Sequence, residues 1–324
     1  MSSRKINQRL KSNPDTGFGT QSSQIGGRFV NRDGTFNLRK EGLPLYRQLS
    51  IYSYLLVIST WKFILIVVSF FVLMNIGFTC LYLIAGYDQL QGMIATGKWD
   101  RVLETYFFST ETFTTVGYGR INPIGQLAHF ISSFESMTGF MFFAVLTGVL
   151  FGRFARPKAY IVFSENAIVS PYRDGIGLMF RMAPFKKHHH LTNAQVTVNL
   201  VLMDPEDESK EFKFYSLHLE RSRVDSFTMN WTVVHPINEE SPLLHFTKDD
   251  FKKSEFELYV QVTGFDQLFS NTVMTRTSYT FNELVWGAKF KPMYRESEDG
   301  TTTILELHHL NTIEKVELPV PLVV

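Results

Sequence analysis

The residues with the clearest chemical potential are Thr115, Val116, Gly117, Tyr118 and Gly119. None is a nucleophile beside a base, and none is a metal-binding imidazole or carboxylate. What the run offers is backbone. Gly117 and Gly119 accept the angles needed to turn alternate carbonyls inward, angles that a Cβ would oppose. Rings of such carbonyls from several strands replace the hydration shell of a small cation, and the Thr115 hydroxyl can complete the innermost ring. Val116 and Tyr118 would point away from the ion and brace the loop. The duller alternative is a tight turn, and the flanking sequence decides between the two.

The flanks are two apolar stretches. Residues 63–87 carry no charged side chain, and residues 121–152 carry only Glu135. At about 1.5 Å per residue, roughly twenty helical residues cross a hydrocarbon core of about 30 Å, so both stretches suffice. The averages hide this split: 44% hydrophobic residues, 19% charged and a net charge of +1 look soluble. The near-neutral balance gives no reason to expect nucleic-acid binding. The polar N-terminus does not look like a signal peptide. Cys80, the single cysteine, sits in the first apolar stretch, so no intrachain disulfide is possible. Arg39, Lys40, Arg47 and Lys62 precede the first span, and Arg153, Arg156 and Lys158 follow the second. The segment between holds Asp88, Lys98, Asp100, Arg101 and Glu104, a weaker basic bias. Both termini are therefore expected on the cytoplasmic side of a multi-pass protein of the cell (inner) membrane.

The positioning elements follow. Polar, Gly/Ser-rich residues 1–27 are expected to be disordered. Residues 28–38 read as two short β pieces around Asp33-Gly34. From Pro44 to about Ile58, Leu45, Leu49, Tyr52, Leu55 and Leu56 recur at helical spacing and predict an interfacial amphipathic helix. The first span is predicted from Thr60 to Ala85, a re-entrant helix from about Arg101 to Phe113, and the second span from about Ile124 to Phe154. Non-helical backbone at membrane depth must line a cavity or be buried in protein. One filter strand cannot enclose an ion, so a fourfold homo-oligomer is expected. After Pro157, β-prone runs at 159–163, 167–169, 178–181, 195–203, 211–219, 231–235, 256–265 and 272–280 predict an immunoglobulin-like β-sandwich. The domains are thus a cytoplasmic N-terminal segment (1–43), an interfacial helix with a two-span pore domain (44–158), and a cytoplasmic regulatory sandwich (159–324).

Further motifs stand in order around this frame. They are Arg28-Phe29-Val30, Asp33-Gly34, Trp61-Lys62, Ala155-Arg156-Pro157-Lys158 and Phe163-Ser164-Glu165-Asn166-Ala167, then Arg173-Asp174-Gly175, Leu178-Met179-Phe180-Arg181, Glu240-Ser241-Pro242-Leu243 and Trp286-Gly287. Together with the Thr-Val-Gly-Tyr-Gly run they resemble the inward-rectifier potassium channel family, in its prokaryotic (KirBac-like) type. The resemblance implies a homotetramer with K+ held at Thr115, Val116, Gly117 and Tyr118, and no other cofactor. The two-span pore is one shared with the voltage-gated channel superfamily, but no Arg-repeat voltage sensor is present.

The resemblance also assigns roles. Glu111 supports the filter. Arg120 is either its partner or an exposed charge at the mouth. Phe143, Thr147 and Phe151 share one helix stripe, which the resemblance places on the pore. Phe143 stands where strongly rectifying relatives carry an acid, so block by polyamines or Mg2+ is expected to be weak. Phe151 stands at the bundle-crossing gate. Lys62, Arg153, Arg156 and Lys158 would meet anionic phospholipids, phosphoinositides among them, although the positive-inside rule alone accounts for part of the set. Glu135 either satisfies polar groups behind the filter or is a functional intramembrane charge. Gly139 is a bend or a close-packing point. The acidic residues Asp204, Glu206, Asp207, Glu208 and Glu211 form either a vestibule ring or a solvated loop. His188, His189 and His190 suit a loop with a mild pH response. The competing reading is a membrane-anchored binding or scaffold protein with a non-conducting pore-like domain. No catalytic constellation is present.

Overall fold

The computed structural model describes residues 28–42, 44, 50–203 and 212–319. Residues 1–27, Leu45, Arg47, Gln48 and Leu49 of the interfacial helix, and the acidic residues from Asp204 to Glu211 lie outside these. Two compact units result: one is residues 40–156, and the other joins the residues up to Arg39 to those from Pro157 onward.

The first unit is helical. Helix α1 (Ile51–Val57) is capped by Ser50, whose hydroxyl accepts from the Ser53 amide. Helix α2 (Thr60–Ala85) has the predicted bounds. Helix α3 (Lys98–Phe113) begins three residues before the predicted start. Its first turn holds Asp100, where the helix dipole favours an acid. Helix α4 (Gln126–Phe154) follows. Helices α2 and α4 are the two described helices long and apolar enough to cross a membrane. Strand β1 (Leu90–Gln91) pairs antiparallel with β2 (Asn122–Pro123), closing the loop that contains α3 and the filter run. Behind that run, Phe78, Tyr82, Phe108, Phe113, Ala128 and Ile131 form a common core.

The second unit is a sandwich of two five-stranded sheets. The first sheet contains β6 (Leu191–Met203), β7 (Phe212–Ser216), β8 (Arg223–Phe227), β10 (Glu257–Asp266) and β11 (Asn271–Thr280). Its order is β11-β10-β6-β7, with β8 also on β6. The second contains β3 (Ile161–Phe163), β4 (Ala167–Tyr172), β5 (Gly175–Pro184), β9 (Trp231–Ile237) and β12 (Leu284–Trp286). Its order is β12-β4-β5-β3, with β9 also on β5. Alternation builds the core. Val196, Val198 and Leu200 of β6 and Leu258, Val260 and Val262 of β10 face Val169, Leu178 and Phe180 of the other sheet in one buried cluster. Tyr259, between two of these, falls in a second cluster with Phe29, Val30, Phe212 and Phe214. Each of the eight predicted runs overlaps a strand, although 159–160, 217–219 and 256 fall outside one. The strand β8, the parallel pairing of β12 with β4, and two ribbons after Trp286 were not predicted. The ribbons are β13 (Ala288–Phe290) with β16 (Ile313–Lys315), and β14 (Tyr294–Glu296) with β15 (Thr303–Leu305).

The N-terminal pieces dock on this sandwich. Val30 and Phe36 form the bridge around Asp33-Gly34. The buried Glu257 carboxylate accepts from the Phe29 amide at 2.7 Å and the Val30 amide at 3.1 Å. Burial raises the Glu257 pKa, against the pull of those two amides. Arg28 forks onto Glu283 with bonds of 3.0 and 2.9 Å. His235 is enclosed, with Nδ1 on the His218 carbonyl at 2.6 Å and Nε2 on the Ser241 hydroxyl at 2.7 Å. Desolvation pushes its pKa down to about 4.

Candidate ion-conduction site

The filter run begins where α3 stops. The Thr114 amide donates to Thr110 O and the Thr115 amide to Thr112 O; the Val116 and Gly117 amides then both turn back to Glu111 O, at 2.9 and 3.3 Å. This hooks the strand beneath the helix end and leaves its carbonyls free. Among the described residues, no donor is bonded to the carbonyl oxygens of Thr115, Val116, Gly117 or Tyr118. Unpaired backbone carbonyls are rare where water is excluded, and four in succession need a partner from elsewhere. The Asn122 amide holds the next one, Gly119 O, at 2.8 Å.

The dihedrals explain how consecutive carbonyls share a side. Positive φ recurs at every second residue: 58° at Thr115, 53° at Gly117 and 81° at Gly119. Alternating handedness rotates successive peptide planes so that their oxygens line one edge. A Cβ built on Gly117 or Gly119 meets nothing within 4 Å, so these glycines are needed for conformation rather than room. Thr115 is the unexpected member. A β-branched residue at φ 58° is a genuine outlier, and such strain of about 1–3 kcal/mol persists only where the surroundings impose it. Val116 and Tyr118 are 54% and 80% exposed within one chain.

The predicted support residues separate. The Glu111 side chain has no partner among the described residues. Arg120 pairs with Glu104 instead, Nη1 to Oε1 at 2.5 Å. Glu104 also accepts from the amides of Ile94 and Ala95, at 3.2 and 3.0 Å. Reasoning from sequence missed Glu104; the one signal was an acid opposite in charge to Arg120 within the same inter-span segment.

Behind the filter lies a buried polar knot. Tyr82 Oη of α2 donates to Glu135 Oε2 at 2.7 Å, and Ser109 Oγ of α3 donates to Glu135 Oε1 at 2.5 Å. Asn75 Oδ1 lies 3.2 Å from the same Ser109 hydroxyl. Glu135 thereby joins both spans to the pore helix. Gly139, one turn on, is a close-packing point: a Cβ there would stand 1.9 Å from Phe113 O.

Further along α4, the Thr147 hydroxyl donates to Phe143 O at 2.8 Å, and the Phe143 ring lies 5.4 Å from that of Phe142. Phe151 is 73% exposed within the chain. Of the predicted lipid contacts, Lys62 and Arg156 are exposed in the helical unit, and Lys158 is exposed in the other unit. Arg153 is occupied within the chain. Its guanidinium donates to Leu55 O at 2.5 Å and Ile58 O at 2.9 Å, closing the C-terminus of α1, and lies 4.6 Å from the Phe63 ring centre.

Comparison with known proteins bears on this geometry. A family model for the inward rectifier potassium channel C-terminal domain matches residues 161–323, and an ion channel model matches residues 65–156. The chain is 30% identical over 275 residues to the inward rectifier potassium channel Kirbac3.1 of Paramagnetospirillum magnetotacticum, across 84% of this chain and 91% of that one. This chain belongs to the inward rectifier potassium channel family. A second member of that family, ATP-sensitive inward rectifier potassium channel 12 of Bos taurus, is 26% identical over 294 residues, across 84% of this chain and 68% of its own. The inward rectifier relatives are ion channels rather than enzymes, and the two matched models fall one on the helical unit and one on the sandwich.

Proposed function

We propose that this membrane protein conducts potassium through a filter formed by residues Thr115 to Gly119 of four identical chains. Four consecutive unpaired carbonyls, at Thr115 through Tyr118, carry the reading, and the alternating φ values support it. K+ shed of water binds between rings of these oxygens. Val116 and Tyr118, exposed in one chain, pack against the neighbouring copies. Glu111, with no partner among the described residues, bonds to the adjoining filter strand, while Arg120 acts through Glu104 at the mouth. The Phe151 rings close the inner end of the pore, and Phe143 and Thr147 line the cavity above them. An apolar ring at Phe143 cannot hold a polycation, so polyamines and Mg2+ block weakly and rectification is weak. Both termini and the sandwich lie on the cytoplasmic side of the cell membrane, with the domain limits near residues 43 and 158. Lys62, Arg156 and Lys158 meet anionic lipid headgroups, phosphoinositides included, and Arg153 holds the C-terminal end of α1.

The test is potassium uptake into liposomes holding the purified full chain, with sodium as competitor and Gly117→Ala alongside. Selective uptake that disappears in Gly117→Ala is the expected result, because an alanine at φ 53° costs about 1–2 kcal/mol in each chain and turns a carbonyl away. Silence in the wild type and also in Phe151→Ala, across lipid compositions, favours a non-conducting scaffold.

A further inference from the structure

The geometry points to a site for a divalent transition metal of the zinc class at Glu306, His308 and His309, on the short turn between β15 and β16. One ligand atom from each of these three side chains lies within 4.8 Å of the others. His309 Nε2 and Glu306 Oε2 are 3.9 Å apart. Ligands about 2.1 Å from a tetrahedral zinc stand about 3.4 Å from each other, so a small side-chain rotation closes the site. Two imidazoles and one carboxylate form a donor set that zinc accepts, with water in the fourth place.

The site is held by its surroundings. Leu310, next along the chain, is buried with Met293 and Ala183 and fastens the turn to the sandwich. The Glu306 amide donates to Met293 O at 2.8 Å, and the His309 amide to Glu306 O at 2.9 Å. The ring centres of His308 and His309 are 4.1 Å apart. His309 Nδ1 faces the Thr312 hydroxyl at 3.2 Å, which leaves Nε2 toward Glu306. Arg295 Nε donates to Glu306 Oε1 at 3.0 Å and leaves Oε2 for the metal. Outer contacts of this kind orient metal ligands. Arg295 is also a positive charge beside the site, which moderates its affinity. Hard cations such as Mg2+ prefer all-oxygen sets and are not expected to compete. Occupancy would tie β15 to β16, the strands that finish the C-terminal ribbons.

The experiment is calorimetric titration of zinc into the full-length protein in detergent, with Mg2+ present, followed by Co2+ substitution read by visible absorption. One zinc per chain is expected, weakened about tenfold or more by His308→Ala and by His309→Ala. The control His188→Ala/His190→Ala, which removes two other exposed histidines, should bind within about twofold of wild type. His308 is exposed, so His308→Ala removes a ligand without opening the core. Unchanged zinc affinity in the His308→Ala/His309→Ala double variant overturns the assignment. So does a cobalt spectrum that this double variant leaves intact.

Discussion

The sandwich and the helical unit use their apolar residues in opposite ways. In the sandwich, Leu200, Leu258 and Val260 are almost wholly inaccessible, and both sheets close over a single core. In the helical unit, Tyr118, Phe140 and Phe151 are 80%, 71% and 73% exposed. Polar groups show the converse. The most enclosed carboxylate of the helical unit, Glu135, is satisfied wholly within one chain, whereas the filter carbonyls are not. The sandwich thus closes its apolar residues within one chain, while the helical unit leaves large apolar side chains and the carbonyls of Thr115 to Tyr118 open.

Perturbing the scaffold should break that contrast most severely. Gly139→Ala sets a Cβ 1.9 Å from a backbone oxygen that cannot rotate away. Potassium uptake should vanish and the helical unit should lose more than about 3 kcal/mol, the upper range of overpacking, with the β signal in circular dichroism unchanged. Glu135→Ala strands the Tyr82 and Ser109 hydroxyls at about 1–3 kcal/mol each. Thermal unfolding in detergent should record about 3–4 kcal/mol, and Glu135→Gln, which keeps an acceptor, should lose less. If the two variants are equally harmful, the charge rather than the hydrogen bonding matters.

The sandwich should respond to acid through His235. Its folded pKa of about 4 lies below its ordinary 6.5, so the unfolded chain binds the proton first. The stability is fully present above about pH 6.5 and is lost as pH falls toward 4, reaching about 3 kcal/mol in the limit. Denaturant melts across that window should show the slope, and His235→Gln should flatten it. The smallest effect is expected at the filter mouth. Arg120 is about half exposed, so Arg120→Ala should change stability by less than about 1 kcal/mol. A larger loss would mean that the Glu104 tether bears on the filter itself.

Much of this architecture was legible before folding. The limits of α2 follow from an apolar run bounded by Trp61-Lys62 and Gly86, and strands β6 and β10 follow from alternation over ten or more residues. Strand β8 was not legible because Arg-Val-Asp-Ser-Phe lies at an edge, with only Phe227 buried. β12 and the ribbon strands are three residues long, too short for a period; β12 and β13 exist through partners far along the chain, and β14 and β15 through a short hairpin. Within the site, the Thr-Val-Gly-Tyr-Gly run was recognisable and the Thr115 hydroxyl was expected to complete the innermost ring of oxygens, but its positive φ was not expected, since β-branched residues avoid that region. Arg153 read as a lipid contact because its charge and position fit one; nothing local announces the Leu55 and Ile58 carbonyls it serves.

By itself, the sequence determined which segments are long and apolar enough to cross a membrane, which pentapeptide carries glycine at alternate positions, and that a sandwich follows. Those properties depend on length, periodicity and glycine placement, all local along the chain. Only the tertiary structure decided that Glu104 takes Arg120, that Glu135 ties Tyr82 to Ser109, and that Glu306 meets His309 with Arg295 behind it. Partner choice among charges and hydroxyls is a matter of distances of about 3 Å, and such distances are set by packing rather than by order in the chain.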